Sequence, residues 1–251
     1  MKYIFHISDI HIDIERITNL QNSFGKLVDD IIIKGIDESL LVIVGDIFEN
    51  KTILTQSDIS IFDTMMTLLN KNNIRTFIVV GNHDFNINLE SQTNKMVLDI
   101  LTQSYNNITC LTYTQVYKVS KTNIEFHLYS IVDSKIPEYK ENNNIKIALL
   151  HDSVNGARYD NGIKITGSKF NINDFKNYDY TLLGDIHKPQ FLTDTIAYCG
   201  SFIQKNKGEG LDHGYILWDL ENKKNTKHVY IPLIDIMIKI EARDNKTKKL
   251  P

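Results

Sequence analysis

The sequence predicts an α/β fold, and three features carry this prediction. Residues 2–80 alternate between short apolar, β-branched runs and longer stretches with helical spacing, which is a β-α-β-α-β order. Residues 40–44 are continuously apolar, as in a strand that is covered on both faces. Apolar strands also run repeatedly into short groups of Asp, Asn or His residues. Such groups meet beyond the carboxyl ends of strands, where open α/β sheets bind ligands.

Length and composition are those of an ordinary globular protein. The chain has 251 residues, of which 42% are hydrophobic and 24% charged, enough for one large domain or two small ones. We interpret residues 1–235 as one domain, and residues 236–251 as a short basic tail or the start of a capping domain. The net charge of -3 shows no basic excess, so any DNA contact must be local or metal-mediated.

The cysteines and the N-terminal residues predict the compartment. Cys110 and Cys199 lie far apart and form no CxxC pair, which suits a reducing cytosol. The first apolar run is interrupted by His6, Asp9 and His11, so it is a strand and not a signal peptide. No apolar run approaches the ~20 residues that span a bilayer. We therefore expect a soluble, cytoplasmic protein without a membrane partner.

The first half of the chain supplies three strands. They are predicted at residues 2–7, 40–44 and 75–80, with helices at residues 20–36 and 52–70 between them. The first strand ends in Asp9 and His11, which share one face of an extended chain and can point toward one small ligand. The second strand ends in Gly45-Asp46 and the third in Gly81-Asn82-His83-Asp84. Asp84 either serves only the turn or has a further role.

The second half continues the pattern after a third helix. This helix is predicted at residues 91–103, short β-like pieces at residues 108–132, and strands at residues 145–150, 178–183, 191–192, 196–199, 213–220 and 228–232. Two of these strands again end in polar residues, at His151 and at Gly184-Asp185-Ile186-His187. The loop of residues 155–167 is long for a simple connection, which suggests a binding surface.

The residues at the strand ends are typical metal ligands. Carboxylate, amide and imidazole groups without thiolate suit Mn, Fe or Zn. The candidate ligands, enough for two ions, are Asp9, His11, Asp46, Asn82, His151, Asp185 and His187. Two ions roughly 3.5–4 Å apart with a carboxylate between them can generate hydroxide at neutral pH and clamp an in-line phosphoryl displacement. His83 is the candidate general acid, because it adjoins the ligands without being needed as one.

Taken together, these motifs resemble those of the calcineurin-like metallophosphoesterases in order and approximate spacing. Singly, a strand-end Asp-x-His or Gly-Asp pair is common, and only the conjunction of all five motifs is specific. Within that superfamily, residues 45–48, 180–190 and 198–201, followed by Gly208-Glu209, are similar to the SbcD-type exonucleases. These are the nuclease subunits of a DNA double-strand-break repair complex. The resemblance covers residues 1–232.

The resemblance implies a four-layer sandwich of two mixed β-sheets flanked by helices. It also implies two divalent ions, foremost Mn with Mg, Fe or Zn as alternatives, DNA as substrate and an SbcC-type ATPase as partner; a homodimer stays open. The implied roles are a first ion on Asp9, His11 and His187, a second on Asn82, His151 and Asp185, a bridge by Asp46 and an acid in His83.

Two positions depart from the family pattern. Asp185 stands where the family usually has histidine, and a carboxylate there favours harder ions such as Mn or Mg. Glu49 stands where the family frequently has a histidine near the phosphate. Because an acidic group repels a phosphodiester, we expect Glu49 to point away from the site.

The sequence therefore predicts a Mn-dependent DNA nuclease of DNA repair, recombination or end processing, which uses a metal-bridged hydroxide. One alternative is a phosphatase or cyclic-nucleotide phosphodiesterase on the same pair of ions. The other is a metal-poor scaffold that keeps the fold as a binding module.

Overall fold

A computed structural model describes residues 1–85 and 96–238 of the chain. Its helices are α1 (Ile17–Lys34), α2 (Gln56–Lys71) and α3 (Val97–Thr102), with 3-10 turns at Ile14–Arg16, Ile36–Glu38, Ile172–Phe175 and Lys223–Asn225. Its strands are β1 (Tyr3–Ile7), β2 (Ser39–Val44), β3 (Thr76–Val79), β4 (Ile108–Leu111), β5 (Val116–Lys118), β6 (Ile124–Tyr129), β7 (Ile145–His151), β8 (Val154–Asn155), β9 (Phe170–Asn171), β10 (Tyr180–Gly184), β11 (Gln190–Thr193), β12 (Ile196–Tyr198), β13 (Gly214–Asp219) and β14 (Lys227–Tyr230). The start of the predicted third helix, residues 91–95, and all but the first three residues of the predicted tail of residues 236–251 lie outside the described residues.

The first large sheet has the strand order β14-β13-β1-β2-β3-β4. Its four strands from β1 to β4 run parallel, while at one edge β13 pairs antiparallel with β1 and β14 pairs antiparallel with β13. Ile7 pairs with Ile43, and Val44 pairs with Val79, so the three strands end at the same edge of the sheet. Their polar continuations are therefore neighbours.

The second large sheet has the order β11-β12-β10-β7-β6-β5. Strands β12, β10, β7 and β6 are parallel, and an antiparallel strand closes each edge. Gly184 pairs with His151, which places the ends of β10 and β7 side by side. Both large sheets are mixed, and β8 and β9 form a separate small pair.

The two sheets pack face to face, and alternating side chains of each strand enter different layers. All of β2 is buried: Leu41 and Ile43 pack with α1 and α2, whereas Leu40, Val42 and Val44 pack between the sheets. The opposite face of the second sheet is covered by residues 154–178, including the 3-10 turn. The predicted sandwich of two mixed sheets flanked by helices is confirmed.

Local chemistry corrects the predicted limits of the helices. Helix α2 begins at Gln56 and not at residue 52, because Thr55 caps it: its hydroxyl accepts the Asp58 N–H at 3.2 Å, while the Asp58 carboxylate accepts the Thr55 N–H at 2.9 Å. Helix α1 ends at Lys34, before Gly35 with φ 101°.

Several methionine and histidine side chains outside the candidate ligands are buried. Met65 and Met66 are buried in the core beside the first sheet. His6, His127 and His213 are also buried. Among the residues described, no helix combines the length and the apolar character needed to cross a membrane.

Candidate metal centre

The predicted site residues lie where the ends of the two sheets face each other. The loops after β1 and β2 are joined by backbone hydrogen bonds, from Asp9 N–H to Gly45 O at 3.1 Å and from His11 N–H to Asp46 O at 3.0 Å. Between the sheets, Asp185 N–H donates to Asp9 Oδ2 at 3.1 Å. The polar residues that follow β1, β2 and β10 are thus gathered in one place.

The backbone is left-handed at four of the predicted ligands. The φ angles are 50° at Asp9, 47° at His11, 51° at Asp46 and 87° at Asp185. Residues other than glycine are uncommon in this region, and each such conformation costs roughly 1–3 kcal/mol. Surrounding structure must supply this free energy, and such strain concentrates at functional sites.

Glycine is required where two of these loops touch another backbone. A Cβ on Gly81 would lie 2.1 Å from Asp46 N, and one on Gly184 would lie 2.1 Å from Val44 O. No side chain fits at such distances. The glycines of the two motifs therefore let the strand ends approach closely enough to share ligands.

One group of candidate ligands consists of Asp9, His11 and His187. The Nε2 atoms of the two histidines are 3.2 Å apart, and Asp9 Oδ1 lies 3.9 Å from that of His11 and 3.7 Å from that of His187. All three ligand atoms lie within 4.8 Å of one another. Such a set can hold one cation in a mixed oxygen and nitrogen environment.

Asp46 connects this group with the other side of the site. Its Oδ2 lies 3.6 Å from His11 Nε2, and its Oδ1 lies 3.2 Å from His151 Nε2. Asp46 also forms close groups of potential ligand atoms with His11 and His83, and with Asp9 and His151. This position between two sets of ligands is the one that a bridging carboxylate would need.

Asn82 and Asp185 are the remaining candidate ligands, and their side chains contact each other. Asn82 Nδ2 donates to Asp185 Oδ1 at 3.2 Å. Asp185 belongs to none of the close groups found among the described residues. It is tied to the site through Asn82 and through the bond from its own N–H to Asp9.

Several candidate ligand atoms are buried without a hydrogen-bond partner among the described residues. They are Asp9 Oδ1, Asn82 Oδ1 and His151 Nε2, whose 3.2 Å contact with Asp46 Oδ1 lacks the geometry of a hydrogen bond. The other oxygen of Asp9 accepts hydrogen bonds from the Ser8 hydroxyl and from Asp185 N–H. Leaving buried polar atoms unpaired costs about 1–3 kcal/mol each. The unpaired atoms are those that would bind cations, so the residues present fit two divalent ions.

The electrostatics of the site also favour cations. Burial, reinforced by Asp9 and Asp46, raises the pKa of Asp185 to about 6. Burial acts to lower the pKa of His151, but the adjacent Asp46 carboxylate raises it to about 10. Both shifts agree in direction with the burial of the Asp9 and Asp46 carboxylates, whose charge divalent ions would neutralise.

Two histidines of the site have a firm acceptor at Nδ1. His151 Nδ1 lies 2.7 Å from Val44 O, and His187 Nδ1 lies 2.8 Å from Glu209 Oε1. With a proton on Nδ1, the Nε2 lone pair is free for a metal ion. Glu209 was missed as a functional residue, because only the folded chain brings it to His187.

The expectation that Glu49 points away from the site is wrong. Glu49 Oε2 lies 3.3 Å from His11 Nδ1 and 3.0 Å from Lys205 Nζ. Burial acts to raise the pKa of Glu49, but hydrogen bonds to His11 and Lys205 lower it to about 2. The anticipated repulsion is offset, because Lys205 compensates its charge.

His83 lies at the rim of the site. Its backbone N–H donates to Asp46 Oδ1 at 2.8 Å, and its Nδ1 lies 2.6 Å from Glu49 O. Its ring meets that of His11 edge to face, with centroids 4.8 Å apart. A proton on Nδ1 leaves Nε2 available, which is compatible with proton transfer and also with binding a metal ion.

The carboxylate of Asp84 organises the two loops. It accepts hydrogen bonds from the N–H groups of Ile47 at 2.9 Å, Phe48 at 3.0 Å and Gly81 at 3.0 Å. Asp84 therefore fixes the loop after β2, which carries Asp46, against the loop after β3. Its role extends beyond its own turn.

Comparisons with known proteins identify sequence and structural relatives. The sequence model of the family described as calcineurin-like phosphoesterase matches residues 2–189. The uncharacterized protein R555 of Acanthamoeba polyphaga mimivirus is 32% identical, with 90% of this chain and 18% of R555 covered. The D component of the nuclease SbcCD of Staphylococcus epidermidis is 21% identical, with 77% of this chain and 59% of that protein covered. The chain thus spans less than two thirds of the length of either relative.

Among solved structures, the protein TT1561 of Thermus thermophilus has a TM-score of 0.50 at 16% identity. The match covers 90% of this chain and 98% of that one. At this level of identity the similarity concerns the fold alone.

Proposed function

Because the chain belongs to the calcineurin-like phosphoesterase family, we propose that it is a manganese-dependent DNA nuclease that hydrolyses phosphodiester bonds. Membership of this family supports hydrolysis of phosphoesters by the chain. That the substrate is DNA and the metal is manganese is our proposal. The observation that carries it is the cluster of buried, unpaired ligand atoms at the strand ends. Such a cluster suits two-ion phosphoryl chemistry.

The roles that the family resemblance implies would divide the ligands between two cations. Asp9, His11 and His187 would hold one ion, Asn82, His151 and Asp185 would hold the other, and Asp46 would be available to both. When bound, two such cations act as Lewis acids and lower the pKa of a bound water. The oxygen-rich second set, with Asp185 and Asn82, favours manganese or magnesium over softer ions.

The remaining steps belong to groups of the chain itself. Val44 O and Glu209 hold the Nδ1 protons of His151 and His187, which keeps both Nε2 atoms directed into the site. His83 is held through its Nδ1–H by Glu49 O, so as the imidazolium it would carry a second proton on Nε2, give that proton to the leaving oxygen and end as the neutral ring with its proton on Nδ1. Proton delivery allows the leaving sugar oxygen of the cleaved DNA strand to depart as a neutral hydroxyl group.

DNA is proposed as substrate on two grounds. The relative from Staphylococcus epidermidis is named as part of a nuclease. The segments 180–190 and 198–201 resemble SbcD-type nucleases in detail, and both segments flank the site through His187 and Ser201. A role in DNA repair, recombination or end processing rests on the same support. An SbcC-type ATPase partner and a homodimer stay proposals, which co-purification and sedimentation would test.

The direct test is digestion of double-stranded and single-stranded DNA by the purified chain with Mn²⁺, beside hydrolysis of a small chromogenic phosphoester. We expect cleavage of DNA, and its loss in Asp46→Asn but not in the control Asp194→Asn, since Asp194 is exposed between β11 and β12. If the chain hydrolyses only the small ester, it is a phosphatase and the proposed nuclease function is wrong. Absence of stoichiometric metal would favour the scaffold alternative.

A further inference from the structure

A lysine reaches the candidate metal centre from the loop after β12. Lys205 Nζ lies 3.0 Å from Glu49 Oε2 and 3.2 Å from His11 Nδ1. Among the described residues, it is the only lysine or arginine whose charged group contacts a candidate ligand. Its side chain is 18% exposed, so the ammonium group borders both the cluster and solvent.

The position of the His11 proton decides what this lysine can bind. A metal ion on Nε2 of His11 requires the proton on Nδ1, because one nitrogen of a neutral imidazole must carry it. Nδ1 then donates to Glu49 and cannot accept from Lys205. The ammonium group keeps one partner, the Glu49 carboxylate, and its other hydrogen atoms are available to a ligand.

The backbone of Lys205 is fixed on both sides. Its N–H donates to Glu209 Oε2 at 2.7 Å, and its carbonyl oxygen accepts a hydrogen bond from Arg16 Nη1. Arg16 itself is engaged, since its Nη2 lies 2.9 Å from Asp13. Glu209 also holds His187, so the same carboxylate positions a candidate ligand and the lysine. Lys205 is thus pre-organised relative to the cluster.

We propose that Lys205 binds a non-bridging phosphate oxygen of the substrate, and that Glu49 is its counter-ion in the free protein. This inference rests on the proposed phosphodiesterase function and adds a substrate-binding residue to it. A phosphate brings negative charge to a cluster that is already rich in carboxylates, and a fixed ammonium group beside the cluster offsets it. On binding, a phosphate oxygen accepts a hydrogen bond from the ammonium group and competes with Glu49 for its charge.

The test is calorimetric titration of inorganic phosphate into the full chain loaded with Mn²⁺. Lys205→Met keeps most of the side-chain volume and removes the charge. We expect it to weaken phosphate binding roughly 10- to 100-fold, as for loss of a charge-assisted hydrogen bond. Lys205→Arg should recover most of the affinity. Lys207→Met is the matched control, because Lys207 is exposed two residues away, and it should bind phosphate like the unmodified protein.

A second variant tests the role of the counter-ion. Glu49→Gln retains an acceptor for His11 Nδ1 but removes the charge that competes for Lys205, so phosphate should bind more tightly. Manganese content is measured for each variant. Equal phosphate affinity in Lys205→Met and the unmodified chain, or loss of manganese in Lys205→Met, would overturn the proposal. Failure to digest DNA with phosphate binding intact would instead refute the nuclease function alone.

Discussion

At the scale of single residues, each histidine of the site is oriented by an oxygen atom close to its Nδ1. Glu49 faces two of the histidines, with its Oε2 near His11 Nδ1 and its carbonyl oxygen near His83 Nδ1. Val44 O lies near His151 Nδ1, and Glu209 Oε1 lies near His187 Nδ1. Every one of these acceptors leaves an Nε2 atom free. Asp9 Oδ1 is likewise left for a cation, because Ser8 and Asp185 donate hydrogen bonds to Asp9 Oδ2. These supporting contacts determine which atoms are left for cations.

The first prediction concerns the acid. His83→Asn should lower kcat roughly 10²- to 10⁴-fold, because the variant loses the group that protonates the leaving oxygen. Its backbone N–H still donates to Asp46, so metal content should stay nearly unchanged. Turnover on DNA and metal content by mass spectrometry are the two measurements. Loss of metal in this variant would show that His83 is a ligand, a role that its proximity to His11 and Asp46 allows.

The second prediction concerns Asp185, which lies outside the close groups of ligand atoms. Asp185→Ala should weaken one of two ions selectively, because it removes a carboxylate and leaves Asn82 Nδ2 without its acceptor. Calorimetric titration with Mn²⁺ should then resolve one tight and one weakened site. If both sites keep their affinity, Asp185 is not a ligand and the second ion is held by other residues.

At the scale of elements, the site depends on how closely the strand ends approach. β2 and β3 are neighbours in one sheet, while β7 and β10 are neighbours in the other. The gap between the two sheets at this edge is closed by Gly184 against Val44 O and by Asp185 N–H on Asp9. Helix α1 covers the outer face of the first sheet and contributes no candidate ligand.

Two glycine substitutions distinguish an effect on the metal site from an effect on stability alone. Gly81→Ala should destabilise the protein by at least about 1–3 kcal/mol and reduce metal affinity, because its Cβ would lie 2.3 Å from Asp46 Oδ1. Gly25→Ala lies inside α1 with nothing within 4 Å of the added Cβ, and it should stabilise by up to about 1 kcal/mol. Denaturant unfolding and manganese titration measure both effects. Equal behaviour of the two variants would contradict the close packing at Gly81.

The turn after β13 gives a prediction of pH dependence. Asp219 is desolvated, which acts to raise its pKa, but hydrogen bonds from Asn222 N–H, Asn225 Nδ2 and Glu221 N–H lower it below the usual range. A lowered folded-state pKa stabilises above the unfolded value of 3.8, and this contribution is lost as pH falls through the folded pKa.

Asp219→Ala should therefore cost about 1–3 kcal/mol of unfolding free energy at pH 7, and the difference from the unmodified chain should shrink below pH ~4. Chemical denaturation at several pH values measures it. A difference that stays constant from pH 7 to pH 3 would show that the charge of Asp219 contributes nothing. Asp194→Ala, an exposed position, is the control.

At the scale of the whole molecule, the parts that the sequence could predict follow from short-range patterns. The buried strands β2 and β7 are apolar runs, and the polar residues after them directly identify the candidate ligands. The start of α2 was misplaced by four residues, because the capping box of Thr55 and Asp58 decides it and apolar spacing does not. The contacts of Glu49, Lys205 and Glu209 could not be predicted, since the partners of these residues lie up to 194 residues away along the chain.

The most direct test of the central claim is anomalous diffraction from crystals soaked in Mn²⁺. We predict two manganese peaks, one beside Asp9, His11 and His187, one beside Asn82, His151 and Asp185, and both in contact with Asp46. Such a result would also identify the ligand role of Asp185. Absence of manganese peaks at this edge of the sheets, with the side chains in place, would contradict the account.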